Sequence, residues 1–229
     1  GDHRDLHSFP TRRSSDLDVD GTLLDSMKIW DNAGERYLQS RGRQAEPGLS
    51  RILFSMSLAD GATYLKETYE LPETTGEIHQ GILDIVDAFY HDEAQAKAGV
   101  RELLEALSAK GVAMTIATSS DKRQIRSALE RLDMAKYFQE IFTCGEVGVS
   151  KNEPVIFHQA AALMGTAPED TCVVEDGLYA VRTANKAGYF TVGVYDASSR
   201  DDWQDLQREA DLALESLEDV QRIIEELAV

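Results

Sequence analysis

Two aspartates separated by one residue, Asp18 and Asp20, run into Gly21 and Thr22 within the stretch LDVDGTLLDS at 17–26. That spacing points one carboxylate at a substrate and keeps a second close enough to move a proton. Three further polar stations lie far along the chain. They are Thr118 and Ser119 in ATSS (117–120), Lys151 in GVSKNEP (148–154), and Glu175 with Asp176 in VVEDG (173–177). Singly, each has an ordinary structural explanation. Asp-x-Asp-Gly makes turns, Glu-Asp after a strand caps a helix, a Thr ends many strands, and a lysine is usually solvated. Their weight comes from placement at the carboxyl ends of predicted strands, where parallel sheets gather their ligands.

The elements that must carry these residues alternate from about residue 98 onward. RELLEALSAK (101–110) puts Leu103, Leu104 and Leu107 on one helical face, and Gly111 follows as a stop. VAMTIAT (112–118) has the length of a strand, and Asp121 caps a helix to about 133 with Ile125, Leu129 and Leu132 inward. A brief strand at Ile141–Cys144 precedes a helix begun by Pro154 and carrying Ile156, Ala160, Leu163 and Met164. TCVVED (171–176) and FTVGV (190–194) are strands around a helix at 178–187. Alternation at Asp211–Leu214 then leads to Ser216, with Asp219 three residues on as an approximate capping box. This rhythm predicts an α/β fold, a doubly wound, Rossmann-like parallel sheet. Residues 27–96 break it with helix after helix (28–41, about 58–69, and 76–95 with Ile78, Ile82, Ile85, Val86 and Phe89), an inserted all-helical cap domain. The core is therefore expected from 17–26 and 97–229.

Residues 1–16 fit neither part. A central strand of a parallel sheet needs a near-continuous apolar run, yet Thr11, Arg12, Arg13, Ser14, Ser15 and Asp16 precede Leu17. The segment reads as extraneous or disordered, closer to translated adapter sequence than to a strand. The expectation is a short first strand, disorder or poor packing over 1–13, and no catalytic part for Asp16.

Composition narrows the partners. With 41 acidic against 23 basic residues the net charge is −18, which disfavours nucleic acid and anionic membrane. Much of the excess lies in 201–226. No apolar run approaches a membrane span, and the basic N-terminus lacks the apolar stretch of a secretory signal. Cys144 and Cys172 read as buried free thiols of a cytoplasmic protein. His79, His91 and His158 have no ligand spacing, and the chain reads as a monomer or weak dimer.

DVDGT (18–22), the strand ending ATSS, the lysine of GVSKNEP and VVEDG occur in an order and spacing that resemble the haloacid dehalogenase-like superfamily, from Leu17 to about Leu227. The helical insertion resembles the small cap of its phosphoglycolate phosphatase and β-phosphoglucomutase group. The resemblance implies a phosphatase acting on a small phosphorylated metabolite, a sugar phosphate or similar ester. Asp18 would be the nucleophile and form an aspartyl-phosphate. Asp20 would protonate the leaving oxygen and then activate water. Lys151, Thr118 and Ser119 would bind the phosphoryl group. Mg²⁺ suits an all-oxygen set of Asp18, the Asp20 carbonyl and Asp176, with Glu175 adjoining.

Within that superfamily Asp20 and Asp176 argue against carbon–halogen chemistry. A mutase needs a cap cation for a second phosphate, but LFSMSLAD (53–60) has no Arg or Lys, and Trp30 occupies the place of the mutases' histidine. Both departures favour a phosphatase; the alternatives are a β-phosphoglucomutase-type phosphomutase and a chain impaired by a damaged first strand. Trp30, Phe54, Ser55, Met56 and Ser57 are the candidates for substrate choice.

Overall fold

In the computed structural model, which describes residues 12–54 and 56–227, the chain divides into two compact units. One comprises residues up to Asp25 together with those from Gln95 onward, and the other is Ser26–Ala94. The larger unit contains, among the described residues, the strands β1 (Ser14–Leu17), β2 (Ala113–Thr118), β3 (Ile141–Thr143), β4 (Thr171–Glu175), β5 (Phe190–Val194) and β6 (Leu212–Leu214). They form one sheet in the order β3-β2-β1-β4-β5-β6, and every adjacent pair is parallel. The chain winds outward from β1 to β3 and then returns to the other side of β1. The crevice at the carboxyl ends of β1 and β4 is therefore the topological switch point, the place where such sheets hold ligands.

The smaller unit has helices α1 (Lys28–Ser40), α2 (Leu49–Phe54), α3 (Leu58–Thr68) and α4 (Thr75–Ala88), the last running into a π-turn at Phe89–Glu93. A capping box starts α4: Glu77 N–H donates to Thr74 Oγ1 and Thr74 N–H to Glu77 Oε2. Ile78, Ile82 and Val86 are its buried stripe, while Ile85 sits at the edge, half-buried. The short α2 has no counterpart in the sequence reading.

The remaining helices belong to the larger unit: α5 (Val100–Ala109), α6 (Lys122–Arg131), α7 (Cys144–Val147), α8 (Val155–Met164), α9 (Leu178–Lys186), α10 (Trp203–Glu209) and α11 (Val220–Glu226). Ala117 of β2 and Val173 of β4 pack against Ile156, Phe157 and Ala161 of α8 and Ala180 and Ala184 of α9. Leu163, expected inward on α8, is half exposed. The buried stripe runs through 156, 157, 160 and 161, and at 100° per residue Leu163 falls at its margin. Asp219, not Ser216, caps α11; the Ser216 hydroxyl instead pairs with Glu218. Gly99, at φ +79°, starts α5 so close to Leu217 that a Cβ would lie 2.2 Å from the Leu217 carbonyl oxygen.

Over Ser14–Asp16 the structure departs from the expectation that 1–16 is extraneous or disordered, because these residues form part of β1. Ser14, Ser15, Asp16 and Leu17 are all buried and pair with β2 on one side and β4 on the other. Main-chain ladders do not depend on side-chain polarity, and two of the three polar side chains find local partners, while the Ser15 hydroxyl is buried without one. Ser14 Oγ joins Thr166 and Thr171, and Thr115 Oγ1 donates to Asp16 Oδ1 at 2.8 Å. Arg12 lies over the Phe190 ring at 3.6 Å and donates to the Leu227 carbonyl. The strand is short, as expected; the disorder or poor packing expected over 1–13 falls, for 1–11, outside the described residues.

Asp16 Oδ2 has no hydrogen-bond partner, and burial pushes this carboxyl from 3.8 up to about 7. A carboxyl with a higher pKa in the folded state keeps a proton that unfolding releases, so stability falls as pH rises from about 4 to about 7. Asp16→Val is expected to be more stable than the parent chain, with an advantage that grows by about 2 kcal/mol between pH 5.5 and 8. Urea unfolding at the two pH values measures this, and parallel pH profiles for both proteins would contradict it.

Candidate active site

Asp18 follows β1 directly and is tied to β4 by its N–H, which donates to the Val174 carbonyl at 2.9 Å. Glu175 ends β4 and Asp176 follows it. The pairing of the two strands therefore places carboxylates from distant parts of the sequence side by side. Lys151, in the turn between α7 and α8, reaches in between them. Its Nζ donates to Asp18 Oδ1 at 2.6 Å and to Glu175 Oε1 at 2.5 Å, and the side chain is almost fully buried. Burial opposes the lysine charge, but the carboxylates of Asp18 and Glu175 outweigh it and hold the Lys151 pKa well above its usual value.

One ammonium does not balance this much acid. Burial raises the Asp18 carboxyl to about 7, with Glu175 and Asp20 adding to the rise and Lys151 opposing it. Asp176 is raised well above the usual range, first by burial and then by Asp18, Glu175 and Asp196. Asp18, Glu175 and Asp176 each offer an oxygen within 4.8 Å of the others. An all-oxygen cluster with uncompensated negative charge fits a hard divalent cation such as Mg²⁺.

Asp20 is fixed from β2. Ser120 Oγ donates to Asp20 Oδ2 at 2.6 Å, and Ser120 N–H donates to the Thr118 hydroxyl at 3.1 Å. Thr118 is buried at the strand end, while Ser119 is exposed, its hydroxyl 3.6 Å from Cys144 Sγ. Gly21, at φ +82°, allows the loop to approach Asp176 so closely that a Cβ would lie 2.5 Å from Asp176 Oδ2. The structure therefore gathers Asp18, Lys151, Glu175 and Asp176 into direct contact or near contact, with Asp20 and Thr118 linked through Ser120.

The substrate-choice candidates lie in the other unit. Trp30, Met56 and Ser57 line a cavity of about 280 Å³ among α1, α2, α3 and α4. Ser57 is also the N-cap of α3, accepting from Asp60 N–H. Ser55 and the Phe54 side chain lie outside the described residues. Cys172 is buried as expected, whereas Cys144 is half-buried near Ser119. His158 pairs with the Tyr189 hydroxyl at 2.8 Å and takes no part in the site.

The sequence reading missed Ser120, although it stands inside the ATSS motif, and also Lys97, Asp196 and Ser199. Ser199 Oγ approaches Asp176 Oδ2 at 3.5 Å. A lysine at the boundary of the helical insertion was the sequence signal for Lys97; nothing distinguished Asp196 or Ser199.

The profile of a family described as "Haloacid dehalogenase-like hydrolase" matches residues 17–194. A phosphorylated carbohydrates phosphatase of Thermotoga maritima is 27% identical over 172 residues, covering 75% of this chain and 80% of that protein. A phosphoglycolate phosphatase of Photobacterium profundum is 26% identical over 186 residues, 78% and 81% of the two chains. A Thermotoga maritima structure provisionally assigned as a β-phosphoglucomutase superposes with a TM-score of 0.81 at 24% identity, covering 93% of this chain and 99% of that one. At that identity it shows the shared fold. Among the described residues no helix is long and apolar enough to cross a membrane.

Removing the Lys151 ammonium, the one buried cation among the described residues, leaves its carboxylates unpaired. Lys151→Met is expected to lose about 3–5 kcal/mol of stability near neutral pH. The deficit shrinks towards pH 5 as the carboxylates take up protons. Chemical denaturation at both pH values tests this, and a loss independent of pH would point to packing rather than charge.

Proposed function

This chain belongs to the haloacid dehalogenase-like hydrolase family, and we propose that it is a Mg²⁺-dependent phosphatase of small phosphomonoesters, sugar phosphates or similar metabolites. The observation that carries the reading is the buried contact of Lys151 with Asp18 and Glu175, beside Asp176, at the switch point of the sheet. Phosphate esters hydrolyse extremely slowly without a catalyst, so a site must position a nucleophile and neutralise charge. Lys151 holds Asp18 by Oδ1 and leaves Oδ2 to attack phosphorus. The ester oxygen departs as that bond breaks, leaving an aspartyl-phosphate on Asp18. Asp20, oriented by Ser120, passes its proton to the departing oxygen and then takes one from water. Attack of that water on phosphorus frees phosphate and restores Asp18. Lys151, Thr118 and Ser119 bind the phosphoryl oxygens. Asp18, Asp176, Glu175 and the Asp20 carbonyl would hold Mg²⁺, which when bound neutralises charge on the transferred group.

The absence of Arg or Lys from 53–60 and the presence of Trp30 support hydrolysis over mutase chemistry, and the two phosphatase relatives support it further. Substrate choice is assigned to Trp30, Ser55, Met56 and Ser57, whose types suit a partly apolar or sugar-like leaving group. The two free cysteines suit a reducing, cytoplasmic setting.

Hydrolysis of an aryl phosphate is expected with Mg²⁺, to be lost on chelation, and to fall by at least about a thousandfold in Asp18→Asn. A hexose 1-phosphate should yield free phosphate; formation of the 6-phosphate isomer instead would establish the mutase. Inactivity in the folded parent chain, with activity regained after Ser14, Ser15 and Asp16 are replaced by apolar residues, would establish the impaired first strand.

A further inference from the structure

Lys97 follows the helical insertion closely, and its side chain reaches the loop after β1. Its main chain already lies against that loop, because Lys97 N–H donates to the Leu23 carbonyl and Asp25 N–H to the Gln95 carbonyl, both at 2.9 Å. The ammonium then spends all three donors. It reaches the Gly21 carbonyl at 2.6 Å, the Tyr195 carbonyl at 2.8 Å and Asp196 Oδ2 at 3.0 Å. Two of these acceptors belong to the loop after β5, the third to the loop after β1.

We propose that Lys97 is a positioning residue for the cation site: it clamps the Gly21 peptide to the Tyr195–Asp196 loop and so fixes the Asp20 carbonyl and Asp176 relative to each other. Gly21 is the joint in this arrangement. Its positive φ sets the angle between the peptide carrying the Asp20 carbonyl and the peptide whose carbonyl Lys97 holds. The same residue is wedged against Asp176 and Asp196, as the 2.5 Å and 3.3 Å approaches of a notional Cβ to those side chains show. Asp196 is itself anchored, since its Oδ1 accepts from Ser198 N–H at 3.0 Å and Ser198 Oγ at 2.7 Å. One residue further on, Ser199 reaches Asp176. The clamp thus joins the two loops that flank Asp176 without Lys97 touching a carboxylate of the cluster. Losing a group that orients a metal ligand typically weakens metal binding by about 10–100-fold.

The proposal rests on the Mg²⁺-dependent reading above. Its test is Mg²⁺ calorimetry on the full chain beside p-nitrophenyl phosphate kinetics across a Mg²⁺ series. Lys97→Met is expected to raise the Mg²⁺ dissociation constant about 10-fold or more, with the ester KM at saturating Mg²⁺ within about twofold of the parent. Lys97→Arg, which restores charge and several donors, should recover most of the loss. If Lys97→Met does not fold, Lys97→Gln carries the same expected weakening. A folded variant with unchanged Mg²⁺ affinity overturns the clamp, as does a rise in ester KM with metal affinity intact. A parent chain that neither binds Mg²⁺ nor hydrolyses the ester overturns the phosphatase reading and the clamp together. A parent and a Lys97→Met that both bind and hydrolyse equally well overturn the clamp alone.

Discussion

The contact of Lys151 with Asp18 and Glu175 is where the sheet and the chemistry depend on the same atoms. Parallel pairing of β1 with β4 sets two carboxylates beside each other, and Asp176 adds a third. Bringing like charges together out of water is costly, and the buried ammonium offsets only part of that cost. The remainder appears as raised pKa values at Asp18 and Asp176. A structure selected for stability alone would replace such a cluster with apolar side chains. Its retention at the switch point is the behaviour of a functional site, where perturbed carboxylates gather around a group that is to be bound.

β1 carries this site on an unusual foundation. The central strand of a parallel sheet is normally apolar on both faces, yet here three of its four residues are polar. Main-chain pairing on both sides survives the substitution because it uses only N–H and C=O groups. Ser14 is absorbed into a hydroxyl network with Thr166 and Thr171. Asp16 is absorbed less well, with one oxygen on Thr115 and the other unpartnered. The strand therefore keeps the register that delivers Asp18 while surrendering stability, and the two effects are separable because they reside in different atoms.

What the sequence disclosed follows the same division. Strand-length apolar runs mark β2, β4 and β5, and the residues at their carboxyl ends were legible because the topology of parallel sheets sends those ends to one crevice. The N-cap at Asp121 was legible because capping is local. Lys97 and Asp196 were not, because they act on main-chain carbonyls whose positions exist only after the loops have come together. Ser120 stood in a recognised motif, but which hydroxyl of ATSS would turn to Asp20 depends on the turn after β2. Residues 14–16 misled for the opposite reason: side-chain pattern argued against a strand whose pairing is decided by the backbones of its neighbours.

Net charge and local charge answer different questions here. The excess of 41 acidic over 23 basic residues creates a distant field that salt screens within about 8 Å at physiological strength. In the crevice the carboxylates of Asp18, Asp20, Glu175 and Asp176 interact at close range with one another and with the Lys151 ammonium. The Lys97–Asp196 pair cancels itself and adds no net charge. A phosphate dianion meeting such a crevice would be repelled unless further positive charge arrived with it or before it. The phosphatase reading therefore needs the divalent cation for electrostatic reasons as much as chemical ones, and the carboxyl pKa values, raised first by burial and then by neighbouring carboxylates, point the same way.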